Sequence, residues 1–312
     1  MRPRILVLFA ALLAVVVGGV AFATTTIAAD RAGDDRAAEI GERQPAPSRG
    51  DNPRLAEPAD PAAAGPDLDA SVPVDIDGGF LTWAALDRAT GEVASAGDEI
   101  NTTESMIKVW VVADHLRRAA EAGQQPSPES LADASAAIRD SNNETTQRLY
   151  AAGGYDAVVE RMIDHCDLAD TEVAPGWWSR TTISAEDAAR LGECVADGTA
   201  AGPEWTEWLL EEMRQVRGTT ADDDQRAEEG FEGGRWGVID GLPPSLRDEV
   251  AIKNGWTRIG ETDSWHVNCL AVTDDWVVAV LMRYPAGYSL DYGADRCASV
   301  ADQLFDTPAA AG

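Results

Sequence analysis

The chain has 312 residues, of which 54 are acidic and 25 basic, for a formal net charge of −29. Phosphate backbones and anionic lipid surfaces need a basic footprint, so nucleic acid is excluded as a partner. A hydrophobic fraction of 45% is too high for a wholly disordered chain, and the length suffices for a sizeable core. Of the basic residues 23 are Arg, and the two lysines are Lys108 and Lys253.

Arg2 and Arg4 precede an uncharged stretch from Ile5 to Ala29. A positive start, an apolar run and small residues predict that residues 1–29 are a signal peptide or an N-terminal membrane anchor. Ala21-Phe22-Ala23 and Ile27-Ala28-Ala29 both suit cleavage. The remainder is expected outside the cytoplasm, secreted or held on the outer face of the cytoplasmic membrane. A membrane would be met only through that segment. No Cys follows the apolar run, which argues against a lipid anchor on cysteine. Residues 30–77 are rich in Ala, Pro and acidic residues and lack aromatics, so they are expected to form a disordered tether.

Cys166, Cys194, Cys269 and Cys297 are an even set in an exported chain, which predicts disulfides. Three pairings are possible. Proximity in the chain favours Cys166–Cys194 and Cys269–Cys297. A metal site is a weak alternative, because the cysteines are dispersed and the histidines number only three.

Residues 78–312 are expected to fold. Phe80 to Leu86 and Val93 to Ala96 read as strands around a turn at Gly91. Ser105 to Ala122 reads as a helix whose first half is apolar on all sides and therefore buried. Helices are predicted at about 128–139, 143–152 and 154–165. Another starts at Ser184, where Ser184 and Asp187 suit a capping box, and one more covers Glu204 to Val216. Strands return at Glu249 to Trp256, His266 to Val272 and Trp276 to Tyr284, before a last helix from Asp291 to Phe305. The fold class is therefore α/β in the α+β sense. An antiparallel five-stranded sheet is built from both chain ends and flanked by helices, with an all-helical subdomain inserted.

Three short motifs occur in order: Ser105-Met106-Ile107-Lys108, Ser141-Asn142-Asn143 and Lys253-Asn254-Gly255. A serine hydroxyl is a poor nucleophile without an adjacent base. Residues i and i+3 share a helix face, so the Lys108 amine can approach Ser105. Lys108 acts as a base only when neutral, a state favoured by burial and by a second cation at Lys253. Arg cannot replace either amine in that role, because it stays protonated.

This S-x-x-K, S-x-N, K-x-G series resembles the class A β-lactamases and the wider family of penicillin-recognising serine hydrolases. The stretch from Glu129 to Leu168 is similar to that family's helical core, and Arg180-Thr181-Thr182 to the segment closing its omega loop. The resemblance spans roughly residues 78–306. It implies a serine hydrolase that opens β-lactam amide bonds through an acyl-serine intermediate, with a slow-acylating D-alanyl peptidase or a degenerate binding domain as alternatives. It implies Ser105 as nucleophile, Lys108 as acylation base, Ser141 as proton relay and Lys253 as the cation behind it. Asn143, Asn254, Gly255 and Trp256 would bind substrate, the Trp256 N–H as an oxyanion donor. The expected ligand is a β-lactam or D-alanyl peptide-like molecule, with no metal or organic cofactor, and a monomer is expected.

The sequence departs from the family at named positions. Asn142 stands where Asp is usual, Asn254 where Thr or Ser is usual, and the bulky Trp256 where a small residue is common. The segment Asp167 to Ser179 is short and lacks the Glu, with Asn four residues later, that activates the deacylating water. Asp170 and Glu172 are its nearest carboxylates. His266 lies near the position of a substrate-binding Arg, and Arg258 precedes it; a strand histidine is more often structural. Trp177 and Trp178 are expected beside the site as packing or as a cleft wall.

Overall fold

A computed structural model describes residues 65–221 and 234–306. The proposed signal or anchor at 1–29 and most of the tether lie outside the described residues. Residues 65–77, which composition assigns to the tether, pack on the fold. Val72 is buried, its carbonyl accepts from Trp83 Nε1, and Asp67 N–H donates to the Leu304 carbonyl. The folded part therefore begins before Gly78.

The first two strands are β1 (Phe80–Asp87) and β2 (Val93–Ala96). β3 (Asn101–Thr102) pairs with β4 (Thr182–Ile183) in a small second sheet. After the helices come β5 (Ala251–Ile252), β6 (Gly255–Ile259), β7 (Ser264–Val272) and β8 (Trp276–Pro285). The main sheet runs β2-β1-β8-β7, and β5 and β6 both pair with β7. All these pairings are antiparallel. β5 and β6 hold one common register on β7, with Ile252 opposite Ala271 and Gly255 opposite Asn268. They form one edge position interrupted at Lys253–Asn254, so the six strands occupy the five positions that the sequence pattern predicts.

The helical region comprises α1 (Lys108–Glu121), α2 (Pro128–Arg139), α3 (Asn143–Gly153), α4 (Asp156–Cys166), α5 (Ala185–Ala196) and α6 (Thr206–Arg214). Caps set several starts. Ser127 Oγ accepts from Ser130 N–H with Pro128 at the first helical position, and Ser184 Oγ accepts from Asp187 N–H. Gly154 ends α3 in the left-handed conformation. α1 is the buried helix that its apolar run predicts. Trp110 is fully buried there, and its Nε1 donates to the Val158 carbonyl on α4.

One face of the sheet is covered by α5, which packs on β1, β7 and β8. Gly192 permits that approach, since a Cβ there would lie 2.5 Å from Val277 Cγ1. The short α7 (Val238–Gly241) and α8 (Leu290–Phe305) pack together and against β7. Both disulfides fasten helices. Cys166–Cys194 joins α4 to α5, and Cys269–Cys297 joins β7 to α8. The pairing favoured by chain proximity is the one found. Among the described residues, no helix is long and apolar enough to cross a membrane.

Candidate active site

Ser105 does not begin an α-helix, as the sequence suggests, but sits in a 3-10 turn over Glu104–Ile107 that leads into α1. A buried amide pair fixes this turn. Asn101 Nδ2 donates to Asn268 Oδ1 on β7, and Asn268 Nδ2 donates to the carbonyls of Thr102 and Thr103. Glu104 then takes a left-handed φ of 47°. That conformation costs a non-glycine residue about 1–3 kcal/mol and persists only where the surroundings over-determine it.

Lys108 is fully buried. Its Nζ donates to the Ser141 carbonyl, to Ser141 Oγ at 3.2 Å and to Asn143 Oδ1 at 2.8 Å. The sequence points this amine at Ser105, whereas its described hydrogen bonds reach the middle motif. Ser141 also has a left-handed φ, of 53°, immediately before α3. Asn142 caps that helix, its Oδ1 accepting from Thr145 N–H at 3.0 Å. An amide oxygen accepts this bond as a carboxylate would, which accounts for Asn142 in place of Asp. Trp178 lies against Lys108, with Nζ 5.4 Å from its ring centroid, and Trp178 Nε1 donates to Gln147 Oε1.

Lys253, also fully buried, donates from Nζ to Ser141 Oγ at 3.1 Å. Two amines thus converge on one hydroxyl. Asn254 turns elsewhere, its Nδ2 donating to the carbonyls of Gly234 and Trp236 at 2.9 and 2.6 Å. Gly255 is required by close approach. A Cβ there would lie 2.5 Å from Met106 N, 2.5 Å from Thr103 O and 2.8 Å from Ser105 N. Edge strand and nucleophile turn therefore meet backbone to backbone. Lys253 N–H bonds to the Leu270 carbonyl, so on alternation Gly255 and Thr257 face β7. The N–H of Trp256 then points off the sheet edge, away from β7.

These elements frame a cavity of about 690 Å³. Ser105, Asn143, Trp177, Trp178 and Trp256 line it, together with Glu104 and Glu144. Trp177 is exposed, and Trp256 packs edge-on against Trp236 with centroids 5.1 Å apart. Asp170 and Glu172 are exposed and are not among the lining residues. Their segment is held by the buried Asp187, which accepts from Asp170 N–H and Thr171 Oγ1. His266 is buried on β7, with Nδ1 2.7 Å from Thr102 Oγ1. Burial first, then Arg283 and Arg180, pushes its pKa down to about 3, so it stays neutral. Arg258 is paired with Asp263 at the surface. Among the described residues, no cluster of three or more His, Cys, Asp or Glu side chains could hold a metal ion. Sequence reasoning passes over Glu104, because an acid at a helix start reads as a complement to the helix dipole.

PBP-A superposes with a TM-score of 0.56 at 16% identity, covering 74% of this chain and 90% of that one. A β-lactamase from Xanthomonas campestris pv. campestris gives 0.54 at 17% identity, covering 73% and 92%. A mutant of the class A β-lactamase of the last common ancestor of Gram-negative bacteria gives 0.52 at 19% identity, covering 73% and 92%. This chain has the β-lactamase/transpeptidase-like fold. Identities this low show the β-lactamase-like fold alone. No family model matches the chain. By sequence it is similar to the "Putative lipoprotein LppW" of Mycobacterium bovis and of Mycobacterium tuberculosis, 30% identical over 183 residues. The match covers 57% of this chain and spans about half, 54%, of those relatives. In this β-lactamase-like chain all four cysteines are engaged in disulfides.

Proposed function

We propose that this chain is an extracytoplasmic serine hydrolase that opens β-lactam or D-alanyl-type amide bonds through an acyl-enzyme on Ser105. The observation that carries the reading is Ser141 Oγ held between the amines of Lys108 and Lys253, beside the cavity that Ser105 lines. A hydroxyl has two lone pairs and one proton. Once Lys108 has taken up a proton, both amines donate to those lone pairs and the Ser141 proton is free for a leaving nitrogen. Lys108 accepts the Ser105 proton directly or through Ser141, and the amine left charged is stabilised by the Ser141 carbonyl and Asn143. This requires one of the two amines to be neutral at the moment of attack.

The N–H groups of Ser105 and Trp256 supply the oxyanion site, where donors 2.7–3.1 Å from the developing charge are effective. Asn143 and the Trp256 backbone hold the substrate amide, and Lys253 attracts its carboxylate. Asn254 acts indirectly, by pinning segment 234–236 to the edge strand. The two disulfides and the lipoprotein relatives support a location outside the cytoplasm. Residues 1–29 would direct export, the following stretch would tether the domain, and the domain would act as a monomer.

The test is to incubate the purified chain with a fluorescent penicillin and with a chromogenic cephalosporin, using Ser105→Ala as control. The reading expects Ser105-dependent labelling. Rapid chromogen turnover identifies a β-lactamase, and a persistent label without turnover identifies a slow acylator. Absence of Ser105-dependent reaction with either reagent, in folded protein, contradicts the reading.

A further inference from the structure

Two carboxylates line the cavity with Ser105, and they differ in setting. Glu144 is exposed on α3, whereas Glu104 is buried and directly precedes the nucleophile. Glu104 Oε1 accepts a hydrogen bond from Thr102 Oγ1 at 2.7 Å and lies 3.9 Å from Arg180 Nη1. Thr102 Oγ1 is in turn 2.7 Å from His266 Nδ1. The threonine proton is committed to Glu104, so Nδ1 of the neutral His266 must carry the hydrogen that it gives to Thr102. That leaves His266 Nε2 as a bare acceptor, in keeping with its lack of a described partner. The chain His266–Thr102–Glu104 therefore hands hydrogen bonds toward the carboxylate and fixes its orientation. Its described contacts all run through Oε1, so Oε2 is the oxygen left to the cavity.

We propose that Glu104 is the general base that hydrolyses the acyl-enzyme. The inference rests on the acyl-serine reading above. A water against the ester gives one proton to Glu104 Oε2 while its oxygen bonds to the acyl carbon. The tetrahedral intermediate collapses by breaking the bond between that carbon and Ser105 Oγ. The proton held by Glu104 returns to Ser105 Oγ, and the acid product leaves. Every proton is accounted for and no further reactant is needed. The left-handed backbone at Glu104 fits this assignment, since strain of that kind is retained where a side chain must be aimed. Burial raises the carboxyl's pKa, opposed by Thr102 and Arg180, which makes Glu104 a stronger base than a solvated glutamate while Arg180 favours its ionised form. His266 faces it from β7, with Arg283 on β8 next to His266.

The experiment forms the acyl-enzyme with fluorescent penicillin on the full chain, removes excess reagent, and follows loss of the adduct by intact mass. Glu104→Gln should still take the label on Ser105, and the adduct half-life should lengthen roughly 100-fold, in line with the loss of a general base. Glu104→Asp should fall between the two. Wild-type deacylation should slow as pH falls through a carboxyl titration, and Glu104→Gln should lack that limb. Deacylation of Glu104→Gln at the wild-type rate, or with the acid limb intact, overturns the proposal. So does a wild-type adduct that persists for days. Failure of wild type to label Ser105 at all overturns the acyl-serine reading itself. If Glu104→Gln does not fold, the acid limb of Glu104→Asp decides, because a merely structural role would not shift it.

Discussion

Gly255→Ala is the substitution whose effect the structure specifies most fully. The added Cβ would lie 2.5 Å from Met106 N and Thr103 O, and 2.8 Å from Ser105 N. All three are backbone atoms, so no side chain can swing away. Real Cβ contacts essentially never fall below 3.0 Å, so edge strand and nucleophile turn must part by about half an ångström or more. The turn is anchored by Asn268 and Asn101, and the strand by its ladder to β7. Overpacking of this kind costs about 1–3 kcal/mol of stability. The chemical cost is expected to be larger. The same movement separates the N–H groups of Ser105 and Trp256, and losing one oxyanion donor costs about 100- to 1,000-fold. We expect acylation by fluorescent penicillin to slow roughly 100-fold or more in protein that is still folded. Gly260→Ala is the control, because nothing lies within 4 Å of its added Cβ. A folded Gly255→Ala protein that acylates at the wild-type rate refutes this account of the oxyanion site.

Three further predictions concern stability. Because His266 is held neutral with a pKa near 3, the unfolded chain binds its proton first as pH falls. Stability is then lost progressively from about pH 6.5 downward, by at most about 2 kcal/mol at pH 5; His266→Gln should show a shallower acid decline in urea titrations at pH 7.5 and pH 5, and an equal decline contradicts the assignment. Asp114, 1% exposed, accepts from Arg117 at 2.8 Å and Arg161 at 2.6 Å. Asp114→Asn should cost about 3 kcal/mol by stranding those guanidinium groups, seen as a fall in Tm; an unchanged Tm would show the network to be dispensable. Each disulfide closes a span of 28 residues, so its removal should cost about 3–4 kcal/mol by loop closure, and reduction that leaves Tm unchanged would contradict that value.

The sheet and most helices are legible in the sequence because they are long enough to show a period. The two-residue strands β3 and β4 are not, since no periodicity fits in two residues. The break at Lys253–Asn254 is hidden for another reason. Register continues across it, while the bonds that draw Asn254 aside reach Gly234 and Trp236, some twenty residues away. Residues 65–77 read as tether by composition, yet Val72 is buried and linked to Trp83, a contact that no local pattern encodes. At the site, motif order foretells that Ser105, Lys108, Ser141 and Lys253 belong together. The resemblance also foretells that Lys253 holds the Ser141 hydroxyl, but not that Lys108 turns to Ser141 as well. Glu104 is the plainest omission. Its burial, its cavity position and its link to His266 all arise from tertiary placement of a residue that locally resembles a helix-start acid.

The most direct test of the central claim is intact mass with peptide mapping after exposure of the full chain to excess benzylpenicillin. The account predicts Ser105-dependent consumption of benzylpenicillin, with at most one covalent adduct per chain when the reaction is acid-quenched during turnover, on the peptide carrying Ser105, and neither adduct nor consumption in Ser105→Ala. No adduct on the folded protein together with no consumption of benzylpenicillin, or an adduct that survives Ser105→Ala, would contradict it.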